Sequence, residues 1–345
     1  MAGQALLDFL LRLQKECGGT IPFERYMQEA LYDPQFGYYS SQIRNVGAEG
    51  DFSTSASLDT GLGPALAAWI SAKARQLGWS RIPLIEIGAG SGSLAHSILR
   101  NLDWKIRWRT RYMIHETSPA LRKRQQQLLR WQGVRWIDSL GEALKQSGGR
   151  ALIFSNELAD AFPCRLFERR GGGWEELGVK ITDEGDLSEI SLGEIPFDPW
   201  FHGFGSLPEG QRVERCDSFR DWLHNWRGHW KEGVMLTIDY GDLAERIYAR
   251  KPEGSLRAYW RHQRLSGREI YAKFGKQDLT ADVNFSDLIR WGEKMGWTHR
   301  ALITQREFVK TWLPENKHHF LCERFSIPGE AGDAFKVLEQ GTPGV

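Results

Sequence analysis

Short apolar runs alternate with amphipathic stretches along most of the chain beyond residue 82. A parallel sheet covered by helices on both faces produces this alternation, because its strands are buried and each helix buries one side. The pattern therefore predicts an α/β fold. The runs that we interpret as strands are Leu84–Ile87, Tyr112–Glu116, Val134–Ile137, Ala151–Phe154, Met235–Gly241, Arg300–Ile303 and Ala334–Leu338.

Helical patterns fill the region before the first of these strands. Apolar residues recur at helical spacing over Leu6–Leu13, Phe23–Leu31 and Gly61–Gln76. We therefore expect an N-terminal helical region, residues 1–75, followed by a main domain, residues 76–345. The loop around Gly50–Thr54 is either a lid or cleft wall for a ligand site or an ordinary surface loop.

The pattern changes within the main domain between about residues 164 and 232. Cys164–Arg169 and Trp174–Ile181 flank a glycine turn and predict a β-hairpin. Residues 185–216 show little periodicity and are expected to be irregular, while Asp217–Trp230 has the period of an amphipathic helix. We interpret the whole segment as an irregular insertion in the main domain.

Three glycines at alternate positions follow the first strand. Gly88, Gly90 and Gly92 can adopt positive φ, so that the backbone turns sharply and lets a ligand approach closely. A helix that begins at Ser93 would point its free N–H groups at the same place. The loop is therefore a candidate cofactor site.

An acid, Glu86, precedes this loop by two residues. Dinucleotide-binding loops follow the pattern Gly-x-Gly-x-x-Gly and hold an anionic pyrophosphate, beside which a carboxylate is unfavourable. S-adenosylmethionine carries a sulfonium, an amino group and ribose hydroxyls, which suit an acid better. We favour S-adenosylmethionine as the cofactor, with a dinucleotide site and a turn without a ligand as the alternatives.

Further residues at the strand ends are candidates for cofactor binding. Glu116 lies 28 residues beyond Gly88, where a doubly wound fold places a carboxylate against the cofactor ribose. Capping of the next helix is the alternative role for this residue. Ile137 and Asp138 follow the third strand and are expected beside the adenine.

Polar residues after the fourth and fifth strands are candidates for the chemistry. Ligands of open α/β sheets bind outside the carboxyl ends of the strands, so these residues face the reacting end of the cofactor. Two carboxylates could hold a guanidinium or an ammonium group and influence its proton, although acids at a helix N-terminus also serve the helix dipole. The candidate catalytic residues are Asn156, Glu157, Asp160, Asp239 and Tyr240.

Composition narrows the class of partner. The chain has 45 Lys and Arg against 44 Asp and Glu residues, a net charge of +1, which gives no global electrostatic reason to expect nucleic acid. Its 4 cysteines are scattered singly and its histidines show no metal-binding spacing, so we expect no metal and a reducing, cytoplasmic location. We also expect no membrane span, because the apolar start of the chain is short and interrupted by charges.

A set of short motifs is spread over nearly the full length. The motifs are Tyr26-Met27, Ala30–Pro34, Gly37–Tyr39, Gly50–Phe52, Glu86–Gly92, Ser118–Leu121, Asn156-Glu157 with Asp160-Ala161 and Pro163, Ile238–Gly241 and Asp278–Asp282. In this set the chain resembles the MidA family of S-adenosylmethionine-dependent methyltransferases, whose mitochondrial members assist the assembly of respiratory complex I. We count Gly50, Asp51 and Phe52 among the candidate cofactor-binding residues.

The resemblance implies a class I methyltransferase (Rossmann-like) fold. That fold is a seven-stranded, mostly parallel sheet whose last strand is antiparallel, here with an N-terminal helical region and insertions. The resemblance also implies that Glu86, the three glycines of the loop and Glu116 surround the methyl donor.

An activity and a partner are implied as well. Because the mitochondrial relatives, which lie in the matrix, are linked to symmetric dimethylation of an arginine in a complex I subunit, the resemblance implies methyl transfer to a protein arginine. A respiratory-complex subunit is one candidate substrate. The chain departs from the family at Ala56-Ser57, where Pro-Glu is usual, and at Ser91, where arginine is common. An inactive assembly factor with this fold and a nicotinamide-dependent oxidoreductase are the alternatives.

Overall fold

The computed structural model describes residues 2–42, 61–196, 198–204, 207–261, 263–313 and 331–345. The α-helices are α1 Ala2–Glu16, α2 Phe23–Tyr32, α3 Leu62–Leu77, α4 Ser93–Asn101, α5 Trp104–Arg109, α6 Pro119–Leu128, α7 Leu140–Gln146, α8 Asp217–Arg227, α9 Ala244–Tyr248, α10 Phe285–Lys294, α11 Gln305–Trp312 and α12 Ala331–Ala334. The strands are β1 Ile21–Pro22, β2 Ile82–Ile87, β3 Thr110–His115, β4 Arg135–Ile137, β5 Leu152–Asn156, β6 Arg165–Arg170, β7 Gly173–Ile181, β8 Leu187–Glu194, β9 Arg212–Arg215, β10 Val234–Asp242, β11 Arg257–Trp260, β12 Gln263–Leu265, β13 Asp278–Thr280, β14 Val283–Asn284, β15 Thr298–Thr304 and β16 Phe335–Gly341.

The chain divides into two compact units. The parallel-sheet unit consists of residues 44–159, 221–242 and 285–345, and the antiparallel unit consists of residues 1–43, 160–220 and 243–284. Helices α1 and α2 lie in the antiparallel unit, whereas α3 lies in the parallel-sheet unit. The expected helical region before residue 76 is therefore shared between the two units.

Seven strands of the parallel-sheet unit form one sheet in the order β15-β16-β10-β5-β2-β3-β4. Strands β10, β5, β2, β3 and β4 pair in parallel with their neighbours. Strand β16 lies between β10 and β15 and pairs antiparallel with both. This order confirms the predicted α/β fold, including the antiparallel last strand.

Burial explains why the apolar runs of this unit become strands. All 6 residues of β2 are buried, and Leu84 lies opposite Tyr112 on β3 and Leu152 on β5. These side chains pack in one core with residues of α3, α4 and α11, among them Trp69, Ile70, Leu94, Ile98, Phe308 and Val309. Because β2 is fixed on both sides, the loop that follows it starts from a rigid position.

The antiparallel unit contains two smaller sheets. Strands β1, β7, β6 and β9 pair in that order, with β8 added to β7, and β11 pairs with both β12 and β13. The predicted hairpin is confirmed as β6 and β7, which close at Arg170 and Gly173. An aromatic cluster in the core of the antiparallel unit includes Phe167, Trp174, Trp200, Phe201 and Phe204.

The expectation that residues 185–216 are irregular is wrong. They contain β8, a 3₁₀ segment at Pro199–Phe204 and β9. Strand β8 pairs with β7 from Leu187 to Glu194, but its residues alternate only between half-buried and exposed. Backbone hydrogen bonding rather than an apolar face stabilises this strand, so its sequence lacks the expected period. Helix α8 also ends at Arg227, three residues before its predicted end.

No helix within the described part of the chain is long and apolar enough to cross a membrane.

Candidate functional site

The carboxyl end of β2 opens into a pocket that is continuous with solvent. Because β2 and β5 are neighbours in the sheet, their carboxyl ends meet at this pocket. The glycine loop therefore lies together with two of the candidate catalytic residues. The lining residues are Glu86, Gly88, Ala89, Gly90, Ser91, Leu94, Asn156 and Glu157.

The glycine loop needs its glycines for two different reasons. The φ angles of Gly88, Gly90 and Gly92 are +68°, +53° and +81°, a region that residues with a Cβ avoid. A Cβ at Gly88 would come within 2.8 Å of the Leu158 Cδ1 atom, whereas a Cβ at Gly90 would meet no described atom within 4 Å. Internal packing thus excludes a side chain at Gly88, while Gly90 borders open space that a ligand can use.

The Glu86 carboxyl group is buried at the wall of the pocket. Only 2% of this residue is exposed, and its Oε2 atom accepts a hydrogen bond of 2.7 Å from the Tyr112 hydroxyl. Desolvation raises the pKa of Glu86 to about 7, although the hydrogen bond from Tyr112 opposes this shift. Near neutral pH the group therefore exchanges a proton, and a nearby cationic ligand would favour its ionised form.

Glu116 lies just after β3 and is held by two donors. Its Oε1 atom accepts from the Ser118 backbone N–H at 2.9 Å, and its Oε2 atom accepts from the Gln125 amide at 2.9 Å. Burial raises the pKa of Glu116, and these hydrogen bonds oppose the shift. The contact with Ser118 supports helix α6, whose cap is the Ser118 hydroxyl. The structure thus shows a role of Glu116 at the start of α6, and its contact with a ribose stays a prediction.

Gln125 connects Glu116 to the glycine loop. Its side chain is fully buried, and its Nε2 atom donates to the Gly90 carbonyl oxygen at 2.9 Å as well as to Glu116. Its Oε1 atom accepts from the Trp136 indole N–H at 3.0 Å. One amide therefore fixes a loop carbonyl, a carboxylate and an indole relative to one another.

The residues expected beside an adenine lie at the end of β4. The carbonyl oxygen of Ile137 is 3.2 Å from His115 Nδ1. Asp138 is exposed and contacts the Arg122 guanidinium. Gly50, Asp51 and Phe52 lie outside the described residues, so their predicted contact with a cofactor stays a prediction.

Asn156 ends β5, and Glu157 follows it in an uncommon backbone conformation. The Asn156 amide donates to the Glu157 Oε1 atom at 3.1 Å, and the φ of Glu157 is +54°. The Glu157 N–H donates to the Ile238 carbonyl oxygen at 2.9 Å. A positive φ is strained for a residue with a Cβ and persists only where the surrounding structure holds it in place. Such strained residues are frequent at functional sites.

Asp239 holds the turn after β5 by accepting hydrogen bonds from its backbone. It is fully buried, and its Oδ2 atom accepts from the backbone N–H groups of Leu158 at 3.1 Å and Ala159 at 2.9 Å. Its Oδ1 atom accepts from the Tyr240 N–H at 3.0 Å. These bonds indicate a positioning role for Asp239, while the half-buried Tyr240 packs edge-on against Phe335.

Asp160 lies in the antiparallel unit. Its Oδ2 atom accepts from the Thr280 hydroxyl at 3.0 Å. Nearby in the same unit, the Tyr39 hydroxyl donates to Asp278 at 2.8 Å. Burial, together with the charge of Asp160, raises the pKa of Asp278 well above its usual value. The two carboxyl groups therefore cannot both ionise without cost.

Two residues of the site escaped the sequence analysis. Tyr112 could have been found, because a tyrosine in a buried strand needs a partner for its hydroxyl and Glu86 lies on the adjacent strand. Gln125 carries no such signal, since it stands in a run of three glutamines and its neighbours Gln126 and Gln127 are exposed.

The chain is similar to known methyltransferases in both sequence and structure. Residues 65–303 match the model of a family described as "Putative S-adenosyl-L-methionine-dependent methyltransferase". A solved structure from Burkholderia thailandensis, bound to S-adenosyl-homocysteine, is 28% identical, covers 98% of this chain and 92% of its own, and superimposes with a TM-score of 0.82.

Curated relatives are similar over most of their length. The mitochondrial protein arginine methyltransferase NDUFAF7 homolog of Drosophila melanogaster is 26% identical over 100% of this chain and 86% of its own. The mitochondrial protein arginine methyltransferase NDUFAF7 of Danio rerio is 28% identical over 85% of this chain and 73% of its own.

We expect Gly90→Val to abolish binding of S-adenosyl-homocysteine, because the side chain would enter the open space at the loop and strain its backbone. Titration calorimetry measures the affinity. Gly148→Val is the matched control, since Gly148 also has positive φ, at +67°, with no atom within 4 Å of its Cβ position, but lies outside the pocket lining. Equal affinities of both variants and the parent protein would contradict the placement of the site.

We expect Glu86→Gln to change how stability depends on pH. The pKa of Glu86 is about 7 in the folded protein against an ordinary value of 4.5, so the folded state binds this proton more tightly. Its contribution is fully present below about pH 4.5 and is lost as the pH rises through 7. The loss is on the order of 3 kcal/mol. Urea unfolding of both proteins between these pH values should show that the free energy of unfolding declines in the parent protein but not in the variant. The same pH dependence of the free energy of unfolding in both proteins would contradict this role of Glu86.

We expect Gln125→Leu to weaken S-adenosyl-homocysteine binding by about tenfold or more, because the Gly90 carbonyl and the Glu116 carboxylate both lose a donor. The Glu116 pKa should rise as well, so the affinity of the variant should fall at a higher pH than that of the parent protein. Gln126→Leu, on the exposed side of α6, is the control. An affinity and pH profile like those of the parent protein would exclude a positioning role for Gln125.

Proposed function

Since the chain belongs to the family of S-adenosyl-L-methionine-dependent methyltransferases whose model matches residues 65–303, it is a methyltransferase that uses S-adenosylmethionine, and we propose that it methylates arginine side chains of a protein. The predicted family, cofactor and type of enzyme are thereby confirmed. The arginine acceptor rests on one observation: relatives named protein arginine methyltransferases align over 85–100% of this chain.

The pocket fits S-adenosylmethionine on two observations. The space at Gly90 is open, and a buried carboxyl group, Glu86, lies in the pocket wall, where it can meet a cationic part of a ligand. When bound, S-adenosylmethionine supplies a methyl group that its sulfonium makes electrophilic. We propose that the glycine loop and Glu86 hold the cofactor, with Glu116 on the ribose and Ile137 and Asp138 beside the adenine.

Glu157 is our candidate for recognising the acceptor. It lines the pocket and receives a hydrogen bond from Asn156, and a carboxylate can accept two parallel hydrogen bonds from a guanidinium. Transfer of the methyl group would form the new N–C bond as the bond from sulfur to the methyl carbon breaks, leaving S-adenosyl-homocysteine, and the proton that the arginine nitrogen then loses could pass to Glu157. Fixing the nitrogen in line with the methyl group lowers the barrier further, because orientation is a large part of such catalysis. Asp160 stays a predicted second carboxylate.

Asp239 and Tyr240 have different parts in this proposal. Asp239 accepts hydrogen bonds from the backbone N–H groups of Leu158 and Ala159. Through them it would keep Glu157 in position. Tyr240 stays a predicted catalytic residue.

The partner and the location are finer points of the proposal. We propose a protein substrate, and a respiratory-complex subunit is one candidate. The relatives named above are mitochondrial proteins, whereas for this chain a cytoplasmic location stays the prediction from its scattered cysteines.

We expect transfer of labelled methyl groups from S-adenosylmethionine to a protein in cell extract, with methylarginine as the labelled residue after hydrolysis. Glu157→Gln should lower the rate by about tenfold or more while the affinity for S-adenosyl-homocysteine is unchanged. Glu142→Gln changes an exposed glutamate of the same unit and should have no effect.

Two outcomes would contradict the arginine proposal. Label on another residue type would identify a different acceptor for the same methyltransferase. Binding of S-adenosylmethionine without any labelled product would favour the alternative of an inactive assembly factor.

A further inference from the structure

Positive charge is concentrated in one stretch of an otherwise acidic chain. Residues 100–135 contain 10 Lys or Arg and 2 Asp or Glu, a net charge of +8, while the whole chain carries +1. The remaining 309 residues therefore carry −7. A basic stretch of this size attracts an anionic partner.

The same stretch exposes three tryptophans. Trp104, Trp108 and Trp131 are 73%, 87% and 83% exposed, although tryptophan is usually mostly buried. Trp104 and Trp108 are four residues apart on α5 and so share one side of that helix. Exposed apolar side chains in one place mark a surface that meets another molecule.

A cation lies beside Trp104 and another lies beside Trp131. The Lys105 Nζ atom lies 5.5 Å from the Trp104 ring centroid, and the Arg130 guanidinium carbon lies 5.3 Å from that of Trp131. Within the described residues, Arg100, Lys105 and Arg130 form no ion pair with a carboxylate. Their charges are therefore available to an anionic partner.

Helix α4 brings the two parts of this surface together. Arg107 of α5 donates to the Leu99 carbonyl oxygen at 2.8 Å, and Gln132 lies 2.6 Å from His96 Nδ1. His96 and Leu99 are three residues apart on α4, so their positions are about 5–6 Å apart. The exposed Arg100 follows them directly. The residues Arg100, Trp104, Lys105, Trp108, Arg130 and Trp131 thus form one basic aromatic patch.

We propose that the basic aromatic patch docks the protein on the surface of an anionic lipid bilayer. Indole rings partition to the boundary between headgroups and acyl chains, and lysine and arginine beside them pair with anionic headgroups. Together these two contributions retain a protein at a membrane surface without a membrane span.

A membrane fits this patch better than a nucleic acid does. Single-stranded nucleic acid is bound in a positively charged groove, where bases stack on aromatic walls. The three indoles here stand out from the surface with more than 70% exposure each. Protruding indole rings can insert between the lipid headgroups at a membrane surface.

The test is flotation of the full chain with two kinds of vesicle, phosphatidylcholine alone and phosphatidylcholine mixed with phosphatidylglycerol. We expect the protein to float with the anionic vesicles only. The triple variant Arg100→Glu, Lys105→Glu, Arg130→Glu should reduce the bound fraction by about tenfold or more, and the triple variant Trp104→Ala, Trp108→Ala, Trp131→Ala should also reduce it about tenfold.

A matched control separates the patch from net charge. The triple variant Lys180→Glu, Arg250→Glu, Arg264→Glu makes the same charge change at exposed positions of the antiparallel unit and should still float. An unchanged affinity for S-adenosyl-homocysteine shows that each variant is folded. Equal loss in both charge variants, or no binding to anionic vesicles, would overturn the proposal, and so would tight binding of single-stranded RNA in place of vesicles.

Discussion

The positive φ angles of the loop between β2 and α4 are the constraint on which the site depends. Because Gly88 and Gly90 take a conformation that other residues avoid, the chain can turn between a buried strand and a helix while its backbone stays exposed to the pocket. The turn also aims the Gly90 carbonyl oxygen at Gln125, whose amide holds Glu116 as well. The Glu116 carboxylate, just after β3, is thereby held in a fixed position relative to the glycine loop that follows β2.

Two buried acids near the pocket illustrate opposite ways of placing a charge inside a protein. Asp239 accepts hydrogen bonds from three backbone N–H groups, which satisfy its buried carboxylate. Within the described residues, the Tyr112 hydroxyl is the one hydrogen-bond donor to the Glu86 side chain, and burial raises the pKa of Glu86 to about 7. The first acid therefore serves the backbone of the turn, while the second remains poorly compensated until a ligand arrives. Natural proteins accept such local cost mainly where they bind or react.

Sequence patterns predicted the parts of this protein that depend on burial or on special backbone geometry. The central strands β2, β5 and β10 were recognisable because their apolar runs are buried on both faces, and the glycine loop because positive φ selects glycine. Strand β8 was missed because its pairing with β7 uses backbone groups, which every residue carries. Gln125 was missed because three consecutive glutamines on α6 look alike until packing buries one of them. A sequence shows which residues could act, but only the fold shows which polar side chains meet.

The position of β16 between β10 and β15 has a consequence for how the sheet assembles. Among the described strands, β15 joins the sheet through β16, so until β16 is in place the N–H and C=O groups of Val234–Tyr240 on β10 that β16 would pair stay unpaired along an apolar strand. Such an edge is a template for pairing with another chain. The order of strands in space therefore leaves this protein most vulnerable to aggregation at a late step of folding, when the five parallel strands from β4 to β10 have formed but β16 and β15 have not yet joined them.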